Sequence, residues 1–233
     1  MIKEIETKVK EIISRTHNVK SVRLEADDID FKAGQFMMVM LRGNSQLKRY
    51  LSISSSPTEK GYIEFTKKLT SSDFSEELNT LQPGDKVKLQ YPFGSFTLQN
   101  SKDKIAFLSG GIGITPIRSI CKYALDTKLG ADIVLLYGNQ SARDIAFKTD
   151  FDEMQKQYPK LKVVHVLCEP SPGMDYQIGL INKDIIKKEI PDYEERKFYI
   201  CGPPVMVEAM KKILTEELLI DKEHIITENF QGY

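Results

Sequence analysis

The chain has no tryptophan, three cysteines and three histidines in 233 residues, and no net charge, with 33 basic and 33 acidic side chains. Each scarcity removes a class of function. Cys121, Cys168 and Cys201 are odd in number and far apart, which excludes a disulfide framework and a CxxC metal site and fits reduced thiols in the cytoplasm. His17, His165 and His224 are equally dispersed, so no protein metal site is expected. The balanced charge gives no reason to expect nucleic acid or an anionic membrane as a partner. No apolar run approaches the ~18 residues of a membrane span. The opening MIKEIETKVK alternates charges around no apolar core and does not read as a signal peptide. What is present is ordinary for a globular chain: 41% hydrophobic and 28% charged residues, enough to fill one large or two modest domains.

The most informative stretch is IAFLSGGIGITPIR, residues 105–118. Its apolar start reads as a buried strand of a parallel sheet. Gly110, Gly111 and Gly113 follow at once, and glycine permits a sharp turn and close approach of a ligand. Thr115 is placed to cap a helix with Pro116 at its first position. Ile117, Ile120, Cys121, Ala124 and Leu125 then share one helical face. Such a unit presents free N–H groups to an anion, most naturally a pyrophosphate. A tight strand-to-helix turn without a ligand fits these residues equally well.

The first ~95 residues read as six short strands, at 7–13, 19–24, 35–41, 49–53, 62–67 and 86–90, broken by Gly and Pro signals. One helix, 73–81, interrupts them. This pattern predicts a small antiparallel β-barrel. The polar LQNSKDK segment marks a boundary, so residues 1–99 and 100–233 are the expected domains. Beyond it strands (105–108, 133–137, 161–167, 198–201, 225–226) alternate with helices (116–125, 147–158, 183–189, 204–218). Alternation predicts an α/β domain on a parallel sheet, with ligands at the carboxyl ends of its strands. Gly110–Pro116 and the turn at Cys201, Gly202 and Pro203 lie at such ends.

In the barrel half, RYLSISSSP would set Arg49, Leu51 and Ile53 on one face of a strand and Tyr50, Ser52 and Ser54 on the other. A serine-rich strand end running into a turn explains the same residues. Ser72 to Ser75 precede the lone helix, where a hydroxyl either caps it or helps its N–H groups hold a phosphate.

Together the motifs resemble the ferredoxin–NADP reductase family, which pairs a flavin-binding barrel with a nicotinamide-binding α/β domain. Arg49-Tyr50-Leu51-Ser52 is similar to its R-x-[YF]-S flavin motif, and LQPGDKVKLQYPFGSF (81–96) to its L-x-x-G-D…P-x-G-x-F connection. Gly110–Pro116 resembles the G-x-G-x-x-P loop, Tyr137-Gly138-Asn139 the Y-G-x motif, CGPPVM (201–206) the C-G-P-x-x-M motif, and Glu228-Asn229-Phe230 the terminal E-x-[FY]. The likeness runs from about Lys8 to the end of the sequence.

The resemblance implies a flavin-dependent NAD(P)H oxidoreductase using FAD rather than FMN, with hydride passing from nicotinamide to the flavin. Arg49 then meets the flavin pyrophosphate and Ser52 the flavin N5, where a hydroxyl favours the reduced, protonated ring. Tyr50, Leu51, Ile53 and Ser54 line the same strand. Thr66 and Lys67 touch the ribityl or phosphate region, and Ser72 and Ser75 the pyrophosphate. Gly110, Gly111, Gly113, Pro116, Gly138, Asn139, Gly202, Pro203 and Met206 would bind the nicotinamide coenzyme, and Thr115 would sit where flavin and nicotinamide meet. Cys201 would lie near the carbon that gives up hydride, and Glu228 and Phe230 complete the site. Cys201 as a small buried residue, Glu228 as a surface carboxylate and Phe230 as terminal packing are the structural alternatives.

The chain departs from the family pattern at two positions. Leu51 stands where the family has its aromatic, so an aliphatic contact replaces a ring on the flavin. Ser72 stands where a phosphate-motif glycine is usual. No cysteine cluster follows the α/β region, so the iron–sulfur module of some relatives is not expected. Beyond the third strand of the α/β region Cys168 and Glu169 stand where NADPH-using relatives tend to place a serine and an arginine, so the resemblance implies NADH over NADPH. The electron acceptor, whether ferredoxin, free flavin, a quinone or an oxygenase component, is left open. Two alternatives stand beside an autonomous enzyme: an electron-transfer subunit of a larger redox complex, or a flavin-binding redox sensor.

Overall fold

The computed structural model describes residues 2–98 and 103–229. The chain divides into two units, the first running to Leu98 and taking in Thr115–Thr127, the second made of the rest.

In the first unit, β1 (Lys3–Thr16), β2 (Val19–Ala26), β3 (Phe36–Leu41), β4 (Lys48–Ser52), β5 (Gly61–Lys68) and β6 (Lys86–Phe93) form one antiparallel sheet in the order β4-β3-β6-β1-β2-β5. An antiparallel bridge between Ile53 and Phe65 brings the two edges together, so the sheet curls toward a barrel rather than lying open. Val22, Leu24, Met37, Val39, Ile53, Ile63, Phe65 and Leu89 fill its interior. Helix α1 (Asp73–Thr80) adds Phe74 and Leu78 to that core. A fully buried phenylalanine contributes roughly 3–5 kcal/mol against alanine, so this contact fixes where the helix begins. Gly34, at φ +96°, must stay glycine: a Cβ there would lie 2.0 Å from the Phe96 carbonyl oxygen.

In the second unit, β7 (Lys104–Gly110), β8 (Asp132–Asn139), β9 (Leu161–Leu167), β10 (Gln177–Ile178), β11 (Lys197–Gly202) and β12 (Ile225–Asn229) form a parallel sheet in the order β10-β9-β8-β7-β11-β12. Helices α2 (Ile114–Asp126), α3 (Lys148–Gln157), α4 (Lys183–Glu189) and α5 (Pro204–Lys212) alternate with the strands. Ala106, Leu108, Val134, Leu136, Phe198 and Ile200 pack against Ile185, Ile186, Val207 and Met210 from α4 and α5. Strand order reverses between β7 and β11, which opens a crevice at their carboxyl ends.

Three features differ from expectation. Thr115 does not cap α2: a 3-10 turn, Gly111–Gly113, runs into a helix that already includes Ile114. Gly111 at φ +52° lets the chain coil early, so Thr115 and Pro116 fall inside the first turn. By its contacts α2 groups with the barrel strands from residue 115 onward. The last expected helix leaves regular α geometry at Lys212 and widens into a π turn, Ile213–Glu217. Among the described residues, no helix is long and apolar enough to cross a membrane.

Candidate functional site

The candidate residues fall into one group in each unit. In the barrel, β4 carries Arg49 and Ser52. The Arg49 guanidinium lies over the Phe74 ring at 5.6 Å, beside the first turn of α1, and donates to the Lys48 carbonyl at 2.8 Å. Lys67, on β5, is 5% exposed. Burial, and then the charge of Arg49, lowers its pKa. Its ammonium donates to the Lys68 carbonyl at 3.1 Å, and no carboxylate among the described residues pairs with it. Two cations held close, one of them buried, disfavour each other's charge, and a bound anion would relieve that.

The start of α1 continues that patch. Ser72 caps the helix, its hydroxyl accepting from the Ser75 N–H, while the Thr70 N–H donates to Ser75 Oγ at 3.2 Å. Thr70 Oγ1 and Ser72 Oγ are 3.1 Å apart. A capped helix start with hydroxyls next to Arg49 and Lys67 suits a pyrophosphate. Thr70 was not foreseen, since a threonine two residues before a cap carries no distinctive pattern.

Ser52 is 3% exposed, yet its hydroxyl makes no hydrogen bond within the protein. An unpaired buried hydroxyl costs ~1–3 kcal/mol, so it fits a group that a ligand completes. Leu51 is half-buried and packs against the barrel core. Tyr50 faces outward at 61% exposure, with its ring edge-on to Phe36 at 5.9 Å and Phe93 at 5.7 Å. Ile53 belongs to the core. Ser54 and Thr66, which the resemblance assigns to the flavin, have hydroxyls bonded inside the barrel: Ser54 Oγ donates to Glu64 Oε1 at 2.9 Å and lies 2.8 Å from Thr66 Oγ1. Their hydroxyl protons serve the protein's own interior, and their main-chain atoms are what remains for a ligand.

In the second unit the register aligns Glu228, Cys201, Ser109, Tyr137 and His165 across five neighbouring strands, at the carboxyl end of the sheet. In a parallel sheet such a row points to one face. The glycine turn presses on this row. A Cβ on Gly113 would lie 2.2 Å from the Cys201 carbonyl oxygen, so only glycine lets the turn sit against β11. Gly110 faces Met206 Sδ, 2.3 Å from where a Cβ would be. Gly111 has open space on its Cβ side and takes a positive φ of +52°. The three glycines therefore divide between close packing, at Gly110 and Gly113, and a positive φ, at Gly111, which their spacing alone could not reveal.

Gly138 sits beside Gly110 in the register, and Gly202 is buried at the end of β11. Pro203 and Pro204 open α5. Asn139 is buried and its Nδ2 has no partner, a donor kept at the strand end. Ser109 Oγ is also buried and unpartnered; a lone serine before a glycine turn carries no sequence signal. Thr115 is 2% exposed. Phe230 lies outside the described residues. Glu169 is exposed just past β9, with its carboxylate accepting from Gln140 Nε2 at 3.2 Å and its N–H donating to the Gln140 carbonyl at 2.9 Å. Gln140 was not anticipated, and the contact depends on β8 and β9 ending side by side.

Burial, and then the nearby Glu228, pushes the Cys201 thiol well above its ordinary pKa, so it is a neutral packing group and not a thiolate nucleophile. Burial raises Glu228 from 4.5 to about 7, and its Oε2 has no partner. His165 is lowered to about 4 by burial, with Lys148 adding to the effect, and stays neutral.

The Glu228 shift has a stability consequence. Below pH 4.5 the carboxyl is protonated folded and unfolded, and costs nothing. As pH rises through 7 the folded state must either hold a buried charge or a proton the unfolded chain has released. Glu228 therefore removes stability between pH 4.5 and about 7, by at most about 3 kcal/mol above that window. Glu228→Gln is expected to be the more stable protein in urea unfolding at pH 8 and equal to wild type near pH 4.5. Equal stability at both pH values would show that the carboxyl titrates normally.

Comparison with known proteins follows the same division. Residues 4–98 match the oxidoreductase FAD-binding domain and residues 107–212 the oxidoreductase NAD-binding domain. The chain is 30% identical over 211 residues to NADH-cytochrome b5 reductase 1 of Dictyostelium discoideum, covering 87% of this chain and 74% of the relative. It is 30% identical over 199 residues to one subunit of the Na(+)-translocating NADH-quinone reductase of Pseudomonas aeruginosa, covering 79% of this chain but 49% of that relative. The chain thus spans about half the length of the quinone-reductase polypeptides it matches. The crystal structure of an Amycolatopsis cytochrome P450 reductase superimposes with a TM-score of 0.86 at 25% identity, over 98% of this chain and 70% of that one. With an antiparallel barrel matched over residues 4–98 and a parallel sheet matched over residues 107–212, the chain belongs to the ferredoxin–NADP reductase-like family of FAD- and NAD-binding flavoproteins.

Proposed function

We propose that the chain is an FAD-dependent NAD(P)H oxidoreductase that favours NADH and passes electrons to a separate acceptor. The observation that carries the proposal is the barrel site itself: a buried, unpartnered Ser52 hydroxyl on the strand that also bears Arg49, with Lys67 buried nearby and unbalanced by any carboxylate among the described residues. FAD, when bound, accepts a hydride from nicotinamide and releases electrons singly or in pairs. Arg49, Lys67 and the α1 start hold the pyrophosphate. Ser52 completes its hydrogen bonding on the flavin ring. Leu51 supplies an aliphatic contact, and Tyr50 an exposed aromatic edge. Gly110, Gly111, Gly138, Asn139, Gly202 and Met206 shape the coenzyme crevice, while Glu228 holds or releases a proton near neutral pH.

The acceptor belongs to the class of redox proteins. Among the relatives, a P450 reductase and the reductase component of a glycine betaine monooxygenase support this. The Na(+)-translocating quinone reductase supports a second reading, work within a larger assembly. The test is anaerobic titration of purified, FAD-reconstituted protein with NADH, followed by addition of ferricyanide and of a ferredoxin. Stoichiometric bleaching and reoxidation by both acceptors are expected. Protein that refuses FAD, or holds it without reduction by either NADH or NADPH, would overturn the proposal.

A further inference from the structure

The barrel interior contains five polar side chains that close on one another. Arg15 (β1) donates through Nε to Ser21 Oγ (β2) at 2.8 Å and through Nη2 to Glu64 Oε2 (β5) at 3.0 Å. Ser21 Oγ is 2.6 Å from Thr66 Oγ1, Thr66 Oγ1 is 2.8 Å from Ser54 Oγ, and Ser54 Oγ donates to Glu64 Oε1 at 2.9 Å. Each hydroxyl has one proton to give. Since Ser54 gives its proton to the carboxylate, Thr66 must donate to Ser54 and Ser21 to Thr66. The donors all run one way, from Arg15 through three hydroxyls to Glu64, and Arg15 closes the ring directly. Arg23 Nε adds a second guanidinium on Glu64 Oε2 at 3.0 Å. Ser21, Ser54 and Glu64 are fully buried and Thr66 is 3% exposed.

A buried ion network is a poor way to gain stability, because desolvation offsets most of the attraction. What a fully satisfied ring does supply is fixed geometry. Its position indicates what is being fixed. Regular pairing of β4 ends at Ser52, and the ring grips the chain two residues later, at Ser54. The backbone there is held as well. Ser54 N–H donates to the Glu64 carbonyl at 2.8 Å, and Glu64 N–H to Ser55 Oγ at 2.9 Å. From α2, Arg118 Nη1 donates to the Ser54 carbonyl at 3.1 Å and Ser119 Oγ to the Ser55 carbonyl at 2.6 Å. The two residues after Ile53 are thus clamped from both sides, while the Ser52 hydroxyl is left unpaired.

We infer that the Arg15–Ser21–Thr66–Ser54–Glu64 ring is a positioning device that holds the Ser52 hydroxyl in line for the flavin. This rests on the reading that Ser52 bonds the flavin ring, and Ser52→Ala tests that reading separately. Thr66→Val opens the ring at its middle and leaves the Glu64 ion pairs in place. FAD-loaded Thr66→Val is expected to melt within a few degrees of wild type, with its visible flavin spectrum displaced in the same sense as that of Ser52→Ala. Its flavin reduction at saturating NADH should slow ~5–10-fold, the effect of one misplaced hydrogen bond, with KM for NADH unchanged within about twofold. Thr66→Ser, which returns the hydroxyl, should recover most of the rate. In a Ser52→Ala background Thr66→Val should cause no further loss, since the two act through one atom. A wild-type rate for Thr66→Val, or equal slowing in both backgrounds, overturns the ring's role while leaving Ser52 in place. Unchanged rate and spectrum for Ser52→Ala overturn both. Should Thr66→Val fail to fold, Ser21→Ala opens the ring one link earlier and is read out in the same way.

Discussion

Ser52→Ala is expected to retain FAD and to slow its reduction by NADH ~10–100-fold, the effect of losing ~1.4–2.7 kcal/mol of transition-state stabilisation. The ground for so large an effect is the burial of the side chain. Ser52 is 3% exposed with no partner for its hydroxyl inside the protein, so no protein neighbour would compete for a bond to the flavin. A hydroxyl at the flavin N5 stabilises the ring more once that nitrogen carries a proton, and only such a difference between states changes a rate. Removing the oxygen also leaves a very small void, so folding should be nearly unaffected. Stopped-flow reduction and the FAD dissociation constant together check the expectation. A wild-type rate with normal FAD content removes Ser52 from the mechanism, and loss of FAD with a normal residual rate reassigns it to binding alone.

The second large effect concerns the coenzyme. NADH is expected to be preferred over NADPH by roughly 10–100-fold in kcat/KM, or ~1.4–2.7 kcal/mol. NADPH differs only by a phosphate on the adenosine ribose. A carboxylate beside the adenosine ribose accepts hydrogen bonds from its diol. Glu169, past β9, is proposed to meet that ribose, and Gln140 donates to its carboxylate at 3.2 Å. A phosphate dianion brought to the same place meets a fixed negative charge. Unit charges ~4 Å apart repel by ~4 kcal/mol at an effective dielectric of about 20, and solvent and salt at this exposed position reduce that to the range above. Arg143 is exposed in a short 3-10 turn, Ala142–Asp144, and is the cation best able to oppose the effect. Steady-state kinetics with ferricyanide as acceptor, on wild type and Glu169→Arg, decide the matter. The variant should lose most of the preference. A wild-type preference for NADPH, or an unmoved ratio in the variant, means that another residue discriminates.

Local pattern located nearly every strand and helix: apolar positions alternate along many barrel strands and recur along a helix, while the parallel strands, buried on both faces, read as short continuous apolar runs. The two-residue β10 escaped, being too short to have a period. Gly111 and Gly113 were legible as special positions, but one serves a positive φ and the other contact with the Cys201 carbonyl. The cap expected at Thr115 failed for a related reason: the glycine turn ahead of it already coils, so the helix starts before the residue best suited to begin one.

The sequence by itself determined the order of the elements, the two-part organisation and the residue types at the site: a serine and an arginine on one barrel strand, hydroxyls at a helix start, glycines after a parallel strand. Tertiary structure alone decided which of those groups remain available to a ligand. Ser52 and Ser54 look alike in RYLSIS, yet one hydroxyl is unpaired and the other is bound to Glu64. That difference arises because hydrogen-bond partners are set by strand pairing, not by neighbours in the chain. Ser21 meets Thr66 across 45 residues and Arg15 meets Glu64 across 49, through the register of β1, β2 and β5. Hydroxyl and guanidinium bonds reach only ~3 Å, so a one-residue slip in register would dissolve the ring while leaving the hydrophobic pattern of each strand as it is written.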